Sequence, residues 1–163
     1  MSDIGDWAHE YNKMNQNKIR IRGKLVRYTI PDVMTVYMGI GRDSDEEVVV
    51  ETIRVFGPRE QVSELLIIIL FFLIQIIQKG CHEQSSYGVY QQVTQQLGRV
   101  LPKRSFDGII QLLSSYEGLF ISQCVVCGRV VSGEGHVPPV VRWWTGQDWS
   151  ARHVGCVIGG AIC

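Results

Sequence analysis

Net charge is the first thing this sequence lacks, because 16 Lys and Arg residues cancel 16 Asp and Glu. No overall positive field draws the chain to nucleic acid. Nor does a positively charged stretch lead into an apolar core at the start, so a secretory signal is not expected. With no such leader, the five cysteines point to a reducing compartment, where metal binding or catalysis is favoured over disulfides. Apolar runs of membrane length are lacking too. The longest, Leu65 to Ile74 with an extension past Gln75 to Ile77, falls short of the roughly 20 residues that cross a bilayer. It reads as a helix buried on most sides, and no membrane partner is expected. Also missing are a Gly-rich phosphate loop, GxSxG and HExxH. Glu64 and Glu117 have no carboxylate partner in reach, which makes them solvated rather than catalytic.

What remains is enough for one domain with a core: 163 residues, 45% of them hydrophobic. Met1 to Asn17 is polar and reads as a flexible N-terminal segment (residues 1–17). From residue 18 to 30 the chain alternates, with Ile19, Ile21 and Leu25 on one face and Arg20, Arg22 and Lys24 on the other, the mark of a strand with one wet face. Pro31-Asp32 makes a turn, Val33 to Ile40 is a second strand, Gly41 to Asp45 a hairpin turn, and Glu46 to Phe56 a third strand. The basic run Lys18, Arg20, Arg22, Lys24 and Arg27 is answered by Asp43, Asp45, Glu46 and Glu47, as two nearby strands of opposite sign would require.

Pro58 then opens the apolar helix, about Arg59 to Lys79, and Gly80 stops it. Ser85 or Ser86 caps a second helix carrying Tyr90, Val93, Leu97 and Leu101. Ser105 caps a third, where Phe106, Ile109, Ile110, Leu113, Tyr116 and Phe120 trace one face. The sheet face and the helix stripes bury each other. The expected fold is α+β: an antiparallel three-stranded meander, then three helices (together residues 18–120), then a C-terminal zinc-knuckle or ribbon-like module (residues 121–163).

That module carries the strongest chemical signal. Cys124-Val125-Val126-Cys127-Gly128 is a CxxC, and His153-Val154-Gly155-Cys156 is an HxxC. Two residues between ligands let one tight turn aim both side chains at a single ion, and Gly128 relieves crowding there. Together the turns complete a Cys3His tetrahedron, the closed arrangement of structural zinc, and soft thiolates disfavour magnesium and calcium. Closing the loop between the turns costs roughly 3 kcal/mol of chain entropy, against zinc binding worth on the order of 10–16 kcal/mol. The metal wins. A redox CxxC follows a strand and opens a helix, whereas this one follows an expected helix. His136 is a substitute ligand on a Gly- and Pro-rich loop, Cys81-His82 is poorly placed to chelate, and Cys163 is a tail thiol. Four protein ligands leave no open position for water, which disfavours hydrolysis, and no His-x-Glu precedes the CxxC as a deaminase needs. Trp143, Trp144 and Trp149 crowd the intervening loop with Arg142 and Arg152. They serve core packing or a protein interface, with base stacking as the competing use.

The motifs in this half of the chain resemble one family, subunit 27 of the Mediator complex of RNA polymerase II transcription. The resemblance runs from about Ser85 to Cys156. It rests on Ser86-Tyr87-Gly88-Val89-Tyr90-Gln91-Gln92-Val93-Thr94, on Leu113 through Phe120 with its Ser-Tyr-x-x-Leu-Phe end, on CxxCG, on Pro138-Pro139 with Arg142 behind, and on HxxC. It implies a nuclear scaffold without catalytic activity that joins neighbouring Mediator subunits and serves the polymerase machinery indirectly, with no direct nucleic-acid contact. The family's metal pattern falls on Cys124, Cys127, His153 and Cys156. The alternative is a zinc-ribbon module that binds nucleic acid through the Lys18–Arg27 face and the tryptophans.

Overall fold

A computed structural model describes residues 2–63, 84–101, 105–133 and 135–158. Helix α1 (Ser2–Met14) leads into strands β1 (Lys18–Arg22), β2 (Leu25–Ile30), β3 (Met34–Arg42) and β4 (Val48–Phe56). Helices α2 (Gly88–Val100) and α3 (Phe106–Ser114) follow, then the hairpin β5 (Val141–Trp144) and β6 (Trp149–Arg152), and a short closing helix α4 (Val154–Ile158). The first four strands form one antiparallel sheet in sequence order, and β5 with β6 forms a second.

The α+β class holds, with one strand more than the three-stranded meander expected. The stretch from 18 to 30 is two strands, because Gly23 takes a left-handed turn at φ 59° that an L side chain resists. Arg22 therefore sits opposite Leu25, and Arg20 opposite Arg27. Side chains opposite one another share a face, so Leu25 leaves the Ile19 and Ile21 side. It packs instead with Tyr37, Phe56 and Val62 in a small separate cluster. The basic residues thus face one another across a hairpin, and the pairing of opposite strands by charge is not what the register shows. The acidic stretch forms the β3–β4 turn, where Asp43 Oδ1 accepts from the Asp45 and Glu47 amides, both at 3.0 Å.

The N-terminal segment is a helix where a frayed tail was expected. Ile4, Trp7, Ala8 and Tyr11 fall at i, i+3, i+4 and i+7, one helical stripe, and all four pack on the main core. Trp7 meets the Phe106 ring edge-on at 5.5 Å. Asn12 brackets the open edge of β1: its Oδ1 accepts from the Ile19 amide at 2.7 Å, and its Nδ2 donates to the Ile19 carbonyl at 2.8 Å. A carboxamide in that position occupies edge groups that would otherwise invite another strand. Tyr28, wholly buried, links three elements through its hydroxyl, which meets Tyr11 Oη at 3.1 Å, Ser114 Oγ at 2.9 Å and Asn17 Nδ2 at 2.9 Å. Burial holds that phenol well above its ordinary range. Asn17 donates in turn to Glu117 at 2.6 Å.

The inner sheet face, with Val26, Tyr28, Met34, Val36, Met38, Ile53 and Val55, packs in one core with Tyr90, Val93 and Leu97 of α2 and Ile109, Ile110 and Leu113 of α3. Helix α2 guards the other edge strand, where Thr94 Oγ1 accepts from the Val55 amide at 3.0 Å. Its N-cap is Tyr87, without a side-chain cap bond. Ser85 contributes differently, since its Oγ accepts from the Tyr87 amide and donates to Glu60 at 2.6 Å. Ser105 caps α3 as expected, accepting from the Gly108 amide. That helix stops at Ser114 and continues as turns, so Tyr116 and Leu119 stay buried while Phe120 is 44% exposed. Residues 59–63 of the expected apolar helix are not helical, and its remainder lies outside the described residues. Among the described residues no helix is long and apolar enough to cross a membrane.

Candidate metal centre

The first knuckle forms directly after the α3 turns. The Cys124 amide donates to the Arg129 carbonyl at 2.9 Å, and the Gly128 amide returns to the Cys124 carbonyl at 2.8 Å. Gly128 sits at φ 70°, the left-handed conformation that lets the backbone turn back so tightly. The second knuckle follows β6, where the Cys156 amide donates to the His153 carbonyl at 3.1 Å as α4 begins. One backbone bond joins them: the Val125 amide donates to the Ala151 carbonyl at 3.0 Å. The β5–β6 hairpin therefore carries His153 back to the CxxC across 25 intervening residues of sequence.

All four residues expected from the sequence come together. One ligand atom from each of Cys124, Cys127, His153 and Cys156 lies within 4.8 Å of the other three. His153 Nδ1 is 3.4 Å from Cys127 Sγ and 3.9 Å from Cys156 Sγ. A zinc ion with bonds of about 2.3 Å to sulfur and about 2.0–2.1 Å to nitrogen would set tetrahedral S···N edges near 3.6 Å. The observed distances bracket that value. The donor set is soft and three of its members are buried, while Cys127 is half-buried.

Electrostatics favour a thiolate here. Burial raises the Cys124 thiol, but backbone amides of Cys127, His153 and Val126, with the Cys127 thiol, outweigh it and leave Cys124 below its ordinary range. Thiolates bind a metal only in the reduced form, so the four-ligand site requires reducing conditions. His136 is exposed on its loop and belongs to no part of the cluster. Cys81, His82 and Cys163 lie outside the described residues.

The module is fastened to the core by residues whose role their sequence positions did not reveal. Tyr116, 1% exposed, donates its hydroxyl to the Val140 carbonyl at 2.9 Å. The Arg142 guanidinium lies 4.3 Å over the Tyr116 ring, and its Nε donates to the Ser115 carbonyl at 3.1 Å. Its Nη1 donates to the Pro139 carbonyl. Burial pushes the Tyr116 phenol up to about 12, with Arg142 opposing, and it lowers the guanidinium from its ordinary value. The Tyr, the Pro-Pro pair and the Arg that marked the resemblance are thus one clamp between α3 and β5. The available clue was an arginine directly after an apolar Pro-Pro-Val-Val stretch, a costly place for an unpartnered charge.

Trp143 and Trp144 are 49% and 42% exposed at the hairpin. Arg152 lies 5.0 Å over the Trp143 ring, and Trp144 stacks at a tilt on Trp149, 5.2 Å away. The tryptophans therefore serve partly as hairpin packing and partly as surface.

An α+β core that ends in two chelating turns, clamped back onto a helix, defines the class: a domain with a C-terminal Cys3His cluster able to hold a metal ion. Residues 77–157 of the chain match the family described as Mediator complex subunit 27. The match covers close to half of the chain and takes in all four cluster residues together with the Tyr116–Arg142 clamp. No curated protein matches the chain.

Proposed function

We propose that this protein is a non-enzymatic, nuclear structural subunit of Mediator, joining neighbouring subunits, and that a zinc ion on Cys124, Cys127, His153 and Cys156 orders its C-terminal module. The observation that carries the reading is the convergence of four soft ligand atoms, within 4.8 Å of one another, inside the stretch that matches the Mediator subunit family. Four protein ligands close a tetrahedral ion, so the metal would organise the fold rather than activate water. The surface around the module suits protein contact: Ile121, Val125 and Val126 are exposed together with Trp143 and Trp144, apolar side chains of the kind that become interface anchors.

The nucleic-acid alternative draws less support from the same residues. Arg142 is committed inside the clamp and Arg152 to the Trp143 face, which leaves the tryptophan hairpin with little positive charge to present to phosphates.

The test is affinity purification of the tagged chain from nuclear extract, followed by mass spectrometry. Mediator subunits should co-purify at stoichiometric levels, and their absence would refute the assignment. Metal identity is read separately by elemental analysis of protein purified under reducing conditions, with one zinc per chain expected. A cobalt-substituted sample should show tetrahedral thiolate and imidazole ligation, whereas an exchangeable water ligand would revive the enzyme reading.

A further inference from the structure

Away from the metal centre, an open cleft of about 470 Å³ lies between α1, the β3–β4 turn and the first turn of α3. Its floor is aromatic, formed by half-buried Trp7 and buried Phe106. Its rim is acidic, with exposed Glu46, Glu47 and Asp107. Among the described lining residues the one of opposite sign, Arg42, is engaged by Glu46: Nη1 donates to the Glu46 carbonyl at 2.9 Å and lies 3.5 Å from its carboxylate. The positive end of α3 also faces this region and by itself would favour an anion. It is already answered by the Ser105 cap and by Asp107 in the first turn. Among the described lining residues, three carboxylates stand against one guanidinium, and the positive ends of α1 and α3 add about half a charge each, which leaves a balance of about −1.

We propose that this cleft docks a segment of a partner protein that presents an arginine or lysine next to apolar side chains. The cation would sit among Glu46, Glu47 and Asp107 with its alkyl stem along Trp7, where an aromatic face also attracts it. The volume falls within the range of about 300–1,000 Å³ typical of binding pockets. A small molecule there would keep much of its surface in water, because the cleft is open. A side chain borne on a protein surface brings further contacts that cover the opening. The inference takes the protein-contact reading above one step further, to the chemistry of a contact.

The test uses the full, zinc-loaded chain and a fluorescently labelled helical peptide of leucine and arginine at amphipathic spacing, with a leucine and glutamate peptide as control. Anisotropy should show saturable binding of the arginine peptide alone, weakening with salt. Glu47→Lys and the double variant Glu46→Gln/Glu47→Gln should each reduce affinity about threefold or more, while Asp148→Lys at the β5–β6 tip should not. The Trp7 indole resonance should shift on titration. Equal binding of both peptides, an unchanged affinity in the cleft variants, or an unmoved Trp7 resonance would overturn the proposal. If the arginine peptide fails to bind while Mediator subunits still co-purify, the cleft inference falls alone. If neither associates, the functional reading falls with it.

Discussion

The two halves of this molecule stay folded by different means. In the sheet and helices, burial suffices: Val26, Val36, Met38, Val93, Leu97, Ile109 and Leu113 are all fully removed from water. Between Cys124 and Cys156 the buried apolar side chains thin to Pro138, Pro139, Val140, Ala151 and the cluster residues Cys124 and Cys156, while Val125, Val126, Val131, Trp143 and Trp144 lie open. A segment with so little core cannot recover its ordering entropy from hydrophobic burial. Its directed links are the Val125–Ala151 bond and the Tyr116–Arg142 clamp, and on the proposed reading a metal ion in the Cys3His cluster would add another. Such links are strong singly and fail singly, whereas a core loses stability by degrees.

The sharpest way to break the contrast is to remove the metal. Chelation under reducing conditions, or Cys124→Ser, should cost the module most of the zinc contribution, on the order of 10 kcal/mol in local stability. Limited proteolysis should then cut within residues 121–158 and leave the sheet and helices intact. If the tail resists as before, the metal does not hold it. Zinc affinity should also fall as pH drops below neutrality, because protons compete for three thiolates and an imidazole. The sign for Cys124 follows from its lowered thiol: the preference for thiolate is full at higher pH and is lost as pH falls through the folded-state value. A metal-binding titration across that range checks both statements.

Leu97→Ala probes the other half. Deleting a fully buried side chain should cost about 2–5 kcal/mol in global denaturant unfolding, with zinc stoichiometry unchanged. Between the two lies the clamp. Arg142→Met removes hydrogen bonds to the Ser115 and Pro139 carbonyls and the ring contact, and should cost about 2–3 kcal/mol, reported as faster hydrogen exchange in β5 and β6 than in α2. The smallest effect expected is from Ser105→Ala, about 1 kcal/mol from the lost α3 cap, seen only as a lower melting temperature.

How far the sequence reached depended on the range of the signal. Cys124, Cys127, His153 and Cys156 were legible because two-residue ligand spacing is a local constraint with few competing uses. The Tyr90, Val93 and Leu97 stripe and the Ser105 cap were legible for the same reason, since each is written within a turn or two of chain. Gly23 was overlooked because alternation continues through it on paper, although a left-handed glycine there reverses the strand and moves Leu25 to the other face. Helix α1 was overlooked because four apolar side chains in a polar context look sparse until the surface that receives them is known.

By itself, the sequence determined which residues could chelate, which helix faces were apolar and where turns could fall, because covalent spacing and side-chain chemistry set those things locally. Only the tertiary structure decided that β5 and β6 return His153 to Cys127, that α1 joins the core, and that Arg142 is spent on Tyr116 and not on a ligand. Contacts of that kind join residues tens or more than a hundred positions apart, and their free energy exists only once other elements have brought both partners out of water.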